Sequence, residues 1–216
     1  MESTLRRGAG APGLRLIETL GWDGAGFARL ELHLARLAAS AARLGWGCDL
    51  AAVKLALIGA VGAAPVRVRL TYGARGQIEV VLAAMPEKPL VWNVGVTVAR
   101  LSSRDAWLGV KSTRRAAYDV ARGNLGPGFD EVIFQNERGE VCDGSITTVF
   151  FDAGQGLCTP PLTCGLLPGV LRAEMLATGT AREAVLHAAD LGHVQLWLGN
   201  SLRGLIPAVF VAEVSA

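Results

Sequence analysis

The sequence predicts an α+β chain in two parts, a small α+β domain over residues 14–86 and a larger, strand-rich domain over residues 93–216. Three observations carry this prediction. The first part alternates strand-like and helix-like patterns in the order β-β-α-α-β-β. A short polar stretch with two prolines, MPEKPLVW, follows, so residues 87–92 are predicted to be a linker. Beyond it, short apolar runs between turn residues are typical of a sheet.

The first domain is predicted to open with two strands. Residues 14–32, LRLIETLGWDGAGFARLEL, indicate a strand, an Asp-Gly turn and a returning strand, FARLEL. Apolar side chains then recur at helical spacing over residues 32–44, which predicts a helix. Gly45 follows directly and is a typical C-terminal cap, because glycine adopts the left-handed conformation without strain.

A second helix and a second pair of strands complete this domain. The helix is predicted over roughly residues 50–61, with Asp49 as its N-cap. The segment PVRVRLTYGARGQIEVVLAAMP alternates apolar and polar residues around a Gly-Ala-Arg-Gly turn, which predicts two paired strands that end near Met85. Lys88 lies in the linker and is expected to be solvated.

The second domain is predicted to consist mainly of strands. NVGVTVARL predicts the first strand, and FDEVIFQNERGEVCDGSITTVFFDAGQGLCTPPL predicts several short ones joined by glycine-containing turns. Helices are expected from Lys111 to Ala121 and from about Pro168 to Thr178, where proline stands near the first turn. HVQLWLGNSLRGLIPAVFVAEV predicts two final strands around a polar loop.

The composition favours a globular protein with a large core. The chain is 51% hydrophobic and 19% charged, which excludes a disordered chain. No apolar stretch reaches the roughly 18 residues that a membrane-spanning helix needs. Residues 1–13 contain two arginines without an apolar run behind them, so they are predicted to be a flexible leader and not a secretory signal.

Charge and cysteine spacing argue against several classes of function. A net charge of +2 without a basic stripe gives no indication of nucleic-acid binding. The four cysteines form no CxxC pair, and the three histidines do not stand near them at metal-ligand spacing, so no metal site is predicted. Reduced cysteines in a cytoplasmic protein are expected.

Lysine is scarce in this chain. There are 18 arginines but only three lysines, Lys54, Lys88 and Lys111. A biased nucleotide composition accounts for part of this scarcity, because alanine and glycine are abundant. A lysine retained against such a bias is still a candidate for amine chemistry, because lysine forms Schiff bases and loses its proton when buried, whereas arginine does neither.

Five segments occur in an order that resembles class IV pyridoxal-phosphate enzymes, the group of class IV aminotransferases and aminodeoxychorismate lyases. The segments are HLARL, KSTRRAAYD, DEVIFQNERGEVCDGSITTVFF, TPPLTCGLLPGVLR and LWLGNSLRGLIPA. Each is weakly specific by itself, but together they extend the resemblance from about Leu14 to Val211. The resemblance implies the two-domain fold of fold-type IV enzymes, in which residues 93–216 form a cofactor-binding pseudo-barrel.

The resemblance also implies pyridoxal 5'-phosphate as the cofactor. Lys111 matches the lysine that bears the cofactor and transfers protons, although its local sequence alone fits a surface lysine equally well. Arg36 in HLARL matches the phosphate-binding arginine, although arginines on amphipathic helices are usually solvated.

Three further residues are implied to contact the phosphate. Val170 and Leu171 offer backbone N–H groups at the start of a helix, where an anion is favoured. Ser201 in LGNSLRG stands where the family has a hydroxyl or backbone contact. The segment GLLPGVLR is equally compatible with a purely structural helix that proline initiates.

Asp143 is implied to be the acid that faces the pyridine nitrogen. The family usually has Glu-Gly where this chain has Asp143-Gly144, so the carboxylate is one methylene shorter. Glu140 stands three residues earlier, but strand alternation places it on the opposite face, which favours Asp143. Thr148 is a second departure, because relatives often have asparagine at its position.

The last loop favours the lyase within this group. Aminotransferases typically have Gly-Thr in this loop, whereas this chain has Gly-Asn-Ser-Leu at residues 199–202, and the N-terminal ETL stretch also resembles the lyases. Asn200 is implied to contact the substrate, and Arg114, Arg115 and Tyr118 are either contacts to a dicarboxylate substrate or a solvated helix face. The implied reaction releases pyruvate from 4-amino-4-deoxychorismate and leaves 4-aminobenzoate for folate synthesis.

Two alternatives remain open. An aminotransferase for D- or branched-chain amino acids shares Lys111, Arg36 and the acid. The other alternative is a degenerate relative that binds the cofactor without turnover. It stays open because Asp143 stands where the family usually has glutamate. By resemblance we expect a homodimer and a small domain that is trimmed before Leu14, and a functional link to an aminodeoxychorismate synthase subunit is compatible with the sequence.

Overall fold

The computed structural model describes residues 2–87 and 89–214. Lys88, in the stretch expected to be a linker, lies outside these described residues. The chain is a mixed α+β structure with a three-stranded and an eight-stranded sheet, which confirms the predicted fold class. Within the described residues, no helix is long and apolar enough to cross a membrane.

Two compact units make up the structure. One comprises Met1–Glu87 with Val110–Arg114, and the other comprises Lys88–Gly109 with Arg115–Ala216. The domain bounds inferred from the sequence stay a prediction. The contacts add one feature to them, because the segment that contains Lys111 belongs to the first unit.

The first unit has one antiparallel sheet in the strand order β1-β2-β3. Its elements are α1 (Glu2–Gly8), β1 (Arg15–Trp22), α2 (Leu30–Leu44), α3 (Leu50–Ala60), β2 (Val66–Gly73) and β3 (Ile78–Ala83). Side-chain alternation explains β2, because Val68 and Leu70 are buried and the intervening Arg69 is exposed. Helix α2 contacts β1, and α3 contacts β3.

The predicted caps of α2 and α3 are confirmed. Gly45 ends α2 in the left-handed conformation with a φ of 76°, and its N–H donates to Ala42 O at 3.0 Å. The Asp49 side chain accepts a hydrogen bond from Ala52 N at 3.0 Å and so caps α3. Gly45 therefore marks the end of α2, and Asp49 marks the start of α3.

The prediction that FARLEL returns as a strand is wrong. An isolated bridge joins Phe27 to Trp22, and α2 begins at Leu30. Leu30 stands four residues before the buried Leu34, so the helical spacing of the leucines extends back into this segment. A short alternating run does not by itself distinguish a strand from the first turn of a helix.

The stretch expected to be a flexible leader contains helix α1. Leu5 is 1% exposed and Ala9 is 7% exposed, and α1 contacts α2. A single buried leucine among charged and small residues is too sparse a pattern to predict a helix from sequence. Burial of this apolar side chain against α2 favours the helix in the folded chain.

The second unit contains the remaining strands and two helices. Its elements are β4 (Trp92–Leu101), α4 (Ala116–Gly123), β5 (Glu131–Asn136), β6 (Val141–Gly144), β7 (Thr148–Asp152), β8 (Cys158–Thr159), α5 (Val170–Ala177), β9 (Arg182–Glu183), β10 (Gln195–Asn200) and β11 (Gly204–Val214). Six strands pair in the order β10-β11-β4-β5-β6-β7, and β7 also pairs with β10. This additional pairing closes a six-stranded barrel, which confirms the pseudo-barrel expected from the resemblance.

An apolar core forms where the barrel strands meet. Each of the six strands contributes one residue that is 0% exposed to a single cluster: Val94, Ile133, Val141, Val149, Leu198 and Ile206. Strand β4 runs parallel to β11 and β5, and the other pairs of the ring are antiparallel. The packed core fixes the ends of β6 and β10, where several of the predicted site residues lie.

The helix expected to begin at Lys111 begins at Ala116, so this prediction is wrong at its start. The preceding segment is extended, and an isolated bridge pairs Ser112 with Leu16 of β1. In the sheet, β1 pairs with β2 on one side only, so its other edge offers backbone groups to this segment. These hydrogen bonds compete successfully with helix formation.

Candidate active site

Lys111 lies in the extended segment that pairs with the edge of β1. Its carbonyl O accepts a hydrogen bond from Ile17 N at 2.8 Å, and Thr113 N donates to Arg15 O at 2.9 Å. Thr113 Oγ1 also accepts from Arg15 N at 3.0 Å. The Lys111 residue is partly buried. The backbone on either side of Lys111 is thus fixed by β1.

Arg36, the predicted phosphate ligand, is held by a buried carboxylate of β1. Its Nε donates to Glu18 Oε1 at 2.9 Å, and its Nη2 donates to Glu18 Oε2 at 2.5 Å. His33 Nδ1 lies 2.6 Å from the same Oε2. Glu18 is 3% exposed and His33 is 2% exposed. Arg36 therefore belongs to a buried ionic cluster, defined by Glu18, His33 and Arg36, and is not a solvated arginine of a helix surface.

Glu18 is ionised in this cluster. Burial alone would raise the pKa of its carboxyl, but the Arg36 charge and the hydrogen bonds from His33 and Arg36 hold this pKa below its usual value of 4.5. An ionised carboxylate only accepts hydrogen bonds, so Nδ1 of His33 carries the proton of their contact. The sequence indicates Glu18 only as part of ETL, and its signal is an acidic residue within an apolar strand.

Asp143 lies at the end of β6 and is 5% exposed. Its Oδ1 accepts a hydrogen bond from the Tyr118 hydroxyl at 3.2 Å, and its Oδ2 accepts one from Leu167 N at 3.2 Å. A Cβ at Gly144 would lie 2.3 Å from Thr147 Oγ1, so glycine is required beside this acid. The carboxylate is buried and is oriented through both of its oxygens.

Tyr118 therefore contacts Asp143 and does not stand on a solvated helix face. Its ring packs edge-on against Phe134, with 4.8 Å between the ring centroids. Burial, and then the negative charge of Asp143, raises the pKa of the Tyr118 phenol well above its usual value. The hydroxyl remains protonated and is a hydrogen-bond donor to the carboxylate.

Glu140, the acid disfavoured by strand alternation, belongs to the turn between β5 and β6. It accepts hydrogen bonds from Arg138 Nη2 at 2.6 Å and from Asn136 Nδ2 at 2.7 Å. These hydrogen bonds lower its pKa to about 2. Its carboxylate is thus committed to the turn, which supports the choice of Asp143.

A third buried carboxylate, which sequence reasoning missed, organises the loop after β6. Glu131 opens β5 and is 0% exposed. Its Oε1 accepts hydrogen bonds from Val132 N at 3.0 Å, Ser145 N at 3.1 Å and Ser145 Oγ at 2.5 Å. Its Oε2 accepts from Ile146 N at 3.2 Å and Thr147 Oγ1 at 3.1 Å. We call these contacts the Glu131 cage, and they fix the loop that follows Asp143.

Asn200 ends β10, and its side chain hydrogen-bonds to two parts of the second unit. Its Oδ1 accepts from Leu202 N at 3.1 Å and Arg203 N at 3.0 Å, which closes the turn to β11. Its Nδ2 donates to Ile146 O at 3.3 Å. Ser201 lies in the same turn and is 9% exposed. The turn is thereby attached to the loop that the Glu131 cage holds.

The predicted backbone donors lie at the start of α5, where Gly169 is the N-cap. The helical hydrogen bonds begin with Ala173 N to Gly169 O at 2.9 Å, so the amides of Val170 and Leu171 precede them. Both residues are 4% exposed. A Cβ at Gly169 would lie 2.5 Å from Thr148 Oγ1, so glycine allows this close approach.

The two neighbouring arginines have different settings. Arg114 is exposed, in the extended segment of the first unit. Arg115 Nε donates to Asp119 Oδ1 at 2.7 Å, and its Nη2 donates to Ser145 O at 3.1 Å. Arg115 is thus attached to the loop of the Glu131 cage. Of the two, Arg114 remains the candidate for a substrate carboxylate.

The predicted site residues fall into both units. The first unit contains Arg36, Lys111 and Arg114, and the second contains Tyr118, Asp143, Val170, Leu171, Asn200 and Ser201. The second unit also has a cavity of about 530 Å³, lined by Arg100, Gln135, His187 and neighbouring residues. None of the predicted site residues lines this cavity.

The chain matches a family model, amino-transferase class IV, over residues 15–210. It is also similar to an aminodeoxychorismate lyase of Bacillus subtilis (strain 168), with 34% identity over 95 residues. This alignment covers 39% of the present chain and 31% of the lyase, so the chain spans about a third of the length of that curated relative.

Solved structures agree with this relationship. A Mesorhizobium loti protein, provisionally assigned as an amino-acid aminotransferase, has 43% sequence identity and a TM-score of 0.85, over 92% of this chain and 100% of its own. A hypothetical aminotransferase of Mycobacterium tuberculosis in its PLP-bound form has 22% identity and a TM-score of 0.77, over 94% of this chain and 83% of its own. At that identity, the second likeness concerns the fold alone.

Proposed function

The chain belongs to the amino-transferase class IV family, and from this premise we propose that it is a lyase that splits 4-amino-4-deoxychorismate into pyruvate and 4-aminobenzoate. Enzymes of this family depend on pyridoxal phosphate. The observation that carries the lyase proposal is the similarity to the Bacillus subtilis aminodeoxychorismate lyase, 34% over 95 residues.

The residues of this chain fit the cofactor of the family. Pyridoxal phosphate needs an amine, a cradle for its phosphate and an acid for its ring nitrogen. Asp143 is a buried carboxylate whose two oxygens are already oriented by Tyr118 and Leu167. The amides of Val170 and Leu171 stand at a helix start, where an anion is favoured.

We assign each requirement to named residues. Lys111 would hold the cofactor covalently, Asp143 would hold the proton of the ring nitrogen, and the proposed phosphate contacts are Arg36, Val170, Leu171 and Ser201. When bound, pyridoxal phosphate supplies an electron sink for the reacting carbon. Lys111 Nζ would hold and move the proton at the reacting carbon of the substrate, because an unprotonated lysine amine is a base.

Two residues expected to contact the substrate receive another task in this proposal. Tyr118 donates its hydroxyl to Asp143, and its raised pKa keeps that donor protonated. Asn200 uses its amide to attach the β10–β11 turn to Ile146 O. We therefore assign both to positioning the cofactor site, and we keep Arg114 as the contact to a substrate carboxylate.

An aminotransferase is the second candidate, and a specific observation favours it. The Mesorhizobium loti protein, provisionally assigned as an amino-acid aminotransferase, has 43% sequence identity to this chain. The two reactions differ in their need for a partner substrate. A lyase divides one substrate into two products, whereas an aminotransferase must pass the amino group to a second substrate, a 2-oxo acid.

The test uses this difference. Purified protein loaded with pyridoxal phosphate is mixed with enzymatically generated 4-amino-4-deoxychorismate alone, and pyruvate and 4-aminobenzoate are measured. Equal amounts of both products without a 2-oxo acid support the lyase. No product from this substrate, together with amino-group exchange between an amino acid and a 2-oxo acid, would support the aminotransferase. If the cofactor-loaded protein catalyses neither reaction, the remaining alternative is a degenerate relative that binds the cofactor without turnover.

The wider setting of the activity is also a proposal. We propose a homodimer in the cytoplasm that contributes to folate synthesis and is supplied by an aminodeoxychorismate synthase subunit. The supply follows from the chemistry, because the lyase adds no nitrogen and the amino group of 4-aminobenzoate must already be present in the substrate. Size-exclusion chromatography with light scattering tests the dimer, and a coupled assay with the synthase tests the supply.

A further inference from the structure

We propose that Glu18 is a positioning residue for the cofactor phosphate, because its carboxylate fixes the guanidinium of Arg36 in one orientation. This inference rests on the proposed function, in which Arg36 binds the phosphate. It assigns a role to an acidic residue that would by charge alone repel an anion.

The geometry of the pair is the first argument. Glu18 Oε1 and Oε2 accept from Arg36 Nε and Nη2 at 2.9 and 2.5 Å, which is a side-on, two-point contact. Such a contact fixes the plane of the guanidinium as well as its position. An arginine oriented in this way binds an anion without first losing side-chain freedom.

Burial is the second argument. The Arg36 side chain is 10% exposed and that of Glu18 is 4% exposed. A buried carboxylate is costly unless it is paired, so the fold keeps Glu18 at this position only together with the Arg36 guanidinium. His33 Nδ1 donates to the same oxygen at 2.6 Å, which limits the rotation of the carboxylate. His33 thus restrains the Glu18 carboxylate, and this carboxylate in turn orients Arg36.

The position of Glu18 in β1 is the third argument. The preceding residue, Ile17, donates its N–H to Lys111 O at 2.8 Å. Adjacent residues of one strand therefore fix the backbone of the proposed cofactor lysine and the side chain of the proposed phosphate ligand. Because both contacts depend on the same short stretch of β1, its placement determines the two together.

The experiment compares two forms of the cofactor. Pyridoxal phosphate and pyridoxal both react with a lysine, but only the first has a phosphate. We measure the dissociation constants of both by absorbance titration for the wild type, Glu18→Gln, Arg36→Met and the double variant. Glu79→Gln is the matched control, because Glu79 is also a β-strand carboxylate paired with an arginine but its side chain is 65% exposed.

We expect Glu18→Gln to weaken pyridoxal phosphate about tenfold and to leave pyridoxal unchanged within about twofold, as loss of a charge-assisted contact implies. In the Arg36→Met background, Glu18→Gln should have no further effect on the preference for the phosphorylated form. The Glu79→Gln control should bind both compounds like the wild type. Unfolding curves of each variant verify that the compared proteins are folded.

The contrary outcomes separate the two claims. If Glu18→Gln weakens both compounds equally, or still acts after Arg36→Met, the positioning role is overturned while the proposed function stands. If Arg36→Met does not alter the preference, or the wild type binds neither compound, the assignment of the phosphate site fails and this inference fails with it. Should Glu18→Gln not fold, Glu18→Asp keeps the charge but withdraws it by one methylene, and the same loss of preference is expected.

Discussion

Two of the buried carboxylates, Glu18 of the first unit and Glu131 of the second, are stabilised in different ways. Glu18 is paired with the side chains of Arg36 and His33, and its pKa lies below the usual value for that reason. Glu131 has one long ion pair, from Arg122 Nη1 to Oε1 at 3.4 Å, and is otherwise held by the shorter hydrogen bonds of backbone amides and hydroxyls in the loop 145–147. The first carboxylate orients another side chain, whereas the second determines the course of the backbone.

The difference indicates what each contributes to the site. A pair of opposite charges can be removed together, because the loss of both partners leaves no buried charge. A cage of backbone donors cannot be removed in this way, because the amides remain after the carboxylate is lost. We therefore expect the Glu18 cluster to tolerate paired substitution and the Glu131 cage to tolerate none.

The largest effect is expected from Glu131→Gln. The amide would direct N–H groups at other donors, so the free energy of unfolding should fall by about 4 kcal/mol. The loop after β6 should also lose its fixed form, and pyridoxal phosphate should no longer bind. Urea unfolding and absorbance titration measure the two effects. Glu31→Gln is the control, since its side chain is 75% exposed, and equal stability of the two variants would contradict the cage.

Arg36→Met is expected to have the next largest effect. It leaves the Glu18 charge buried without its main partner, which should lower the free energy of unfolding by about 3 kcal/mol. The double variant Arg36→Met with Glu18→Gln should regain most of this loss, although it still binds pyridoxal phosphate weakly. Urea unfolding of the two proteins measures the recovery. A double variant as unstable as Arg36→Met would show that the two carboxylates do not differ in the way described.

Tyr118→Phe should have a smaller effect, because it removes one hydrogen bond of 3.2 Å to Asp143. We expect a loss of about 1 kcal/mol in stability and a severalfold weaker affinity for pyridoxal phosphate. The ring contact with Phe134 is retained, so the core should not change. Titration of the cofactor gives the result, and an unchanged affinity would mean that Tyr118 does not position Asp143.

The smallest effect concerns the loss of folding stability at acid pH. The folded-state pKa of Glu18 lies below the 4.5 of the free group, so its contribution to stability is present above pH 4.5 and is lost as the pH falls through the folded pKa. Between neutral pH and about pH 3, Glu18→Gln should therefore lose less stability than the wild type. Urea unfolding at both pH values tests this, and parallel losses would assign the acid sensitivity to other carboxylates.

Much of the fold could be predicted because its signals are local. Alternation in β2, the glycine after α2 and the aspartate before α3 each act within a few residues. The helix expected from Lys111 starts late for a different reason. Its first residues pair with β1, nearly 100 positions away along the chain, since the Arg15 N to Thr113 Oγ1 bond spans 98 residues. Local periodicity contains no information about such a partner.

Site residues that lie in recognisable motifs could be predicted from the sequence, whereas the residues that hold them in place could not. HLARL indicates Arg36, but the carboxylate that holds it lies 18 residues earlier, in β1. The contact between β1 and α2 forms only in the folded chain and leaves no local sequence pattern. Glu131 was missed for the same reason, because most of its partners lie 14 to 16 residues later, in a loop with no periodicity. A buried acidic residue in an otherwise apolar strand is a usable signal in both strands.

The identity of the lysine is the most direct test of the whole account. Protein loaded with pyridoxal phosphate is reduced with borohydride, digested and mapped by mass spectrometry, with Lys111→Ala and the exposed-site control Lys54→Ala alongside. We predict one pyridoxyl-modified residue, Lys111, in the wild type and in Lys54→Ala, and none in Lys111→Ala. Modification at another lysine, or undiminished modification of Lys111→Ala, would contradict the proposed site.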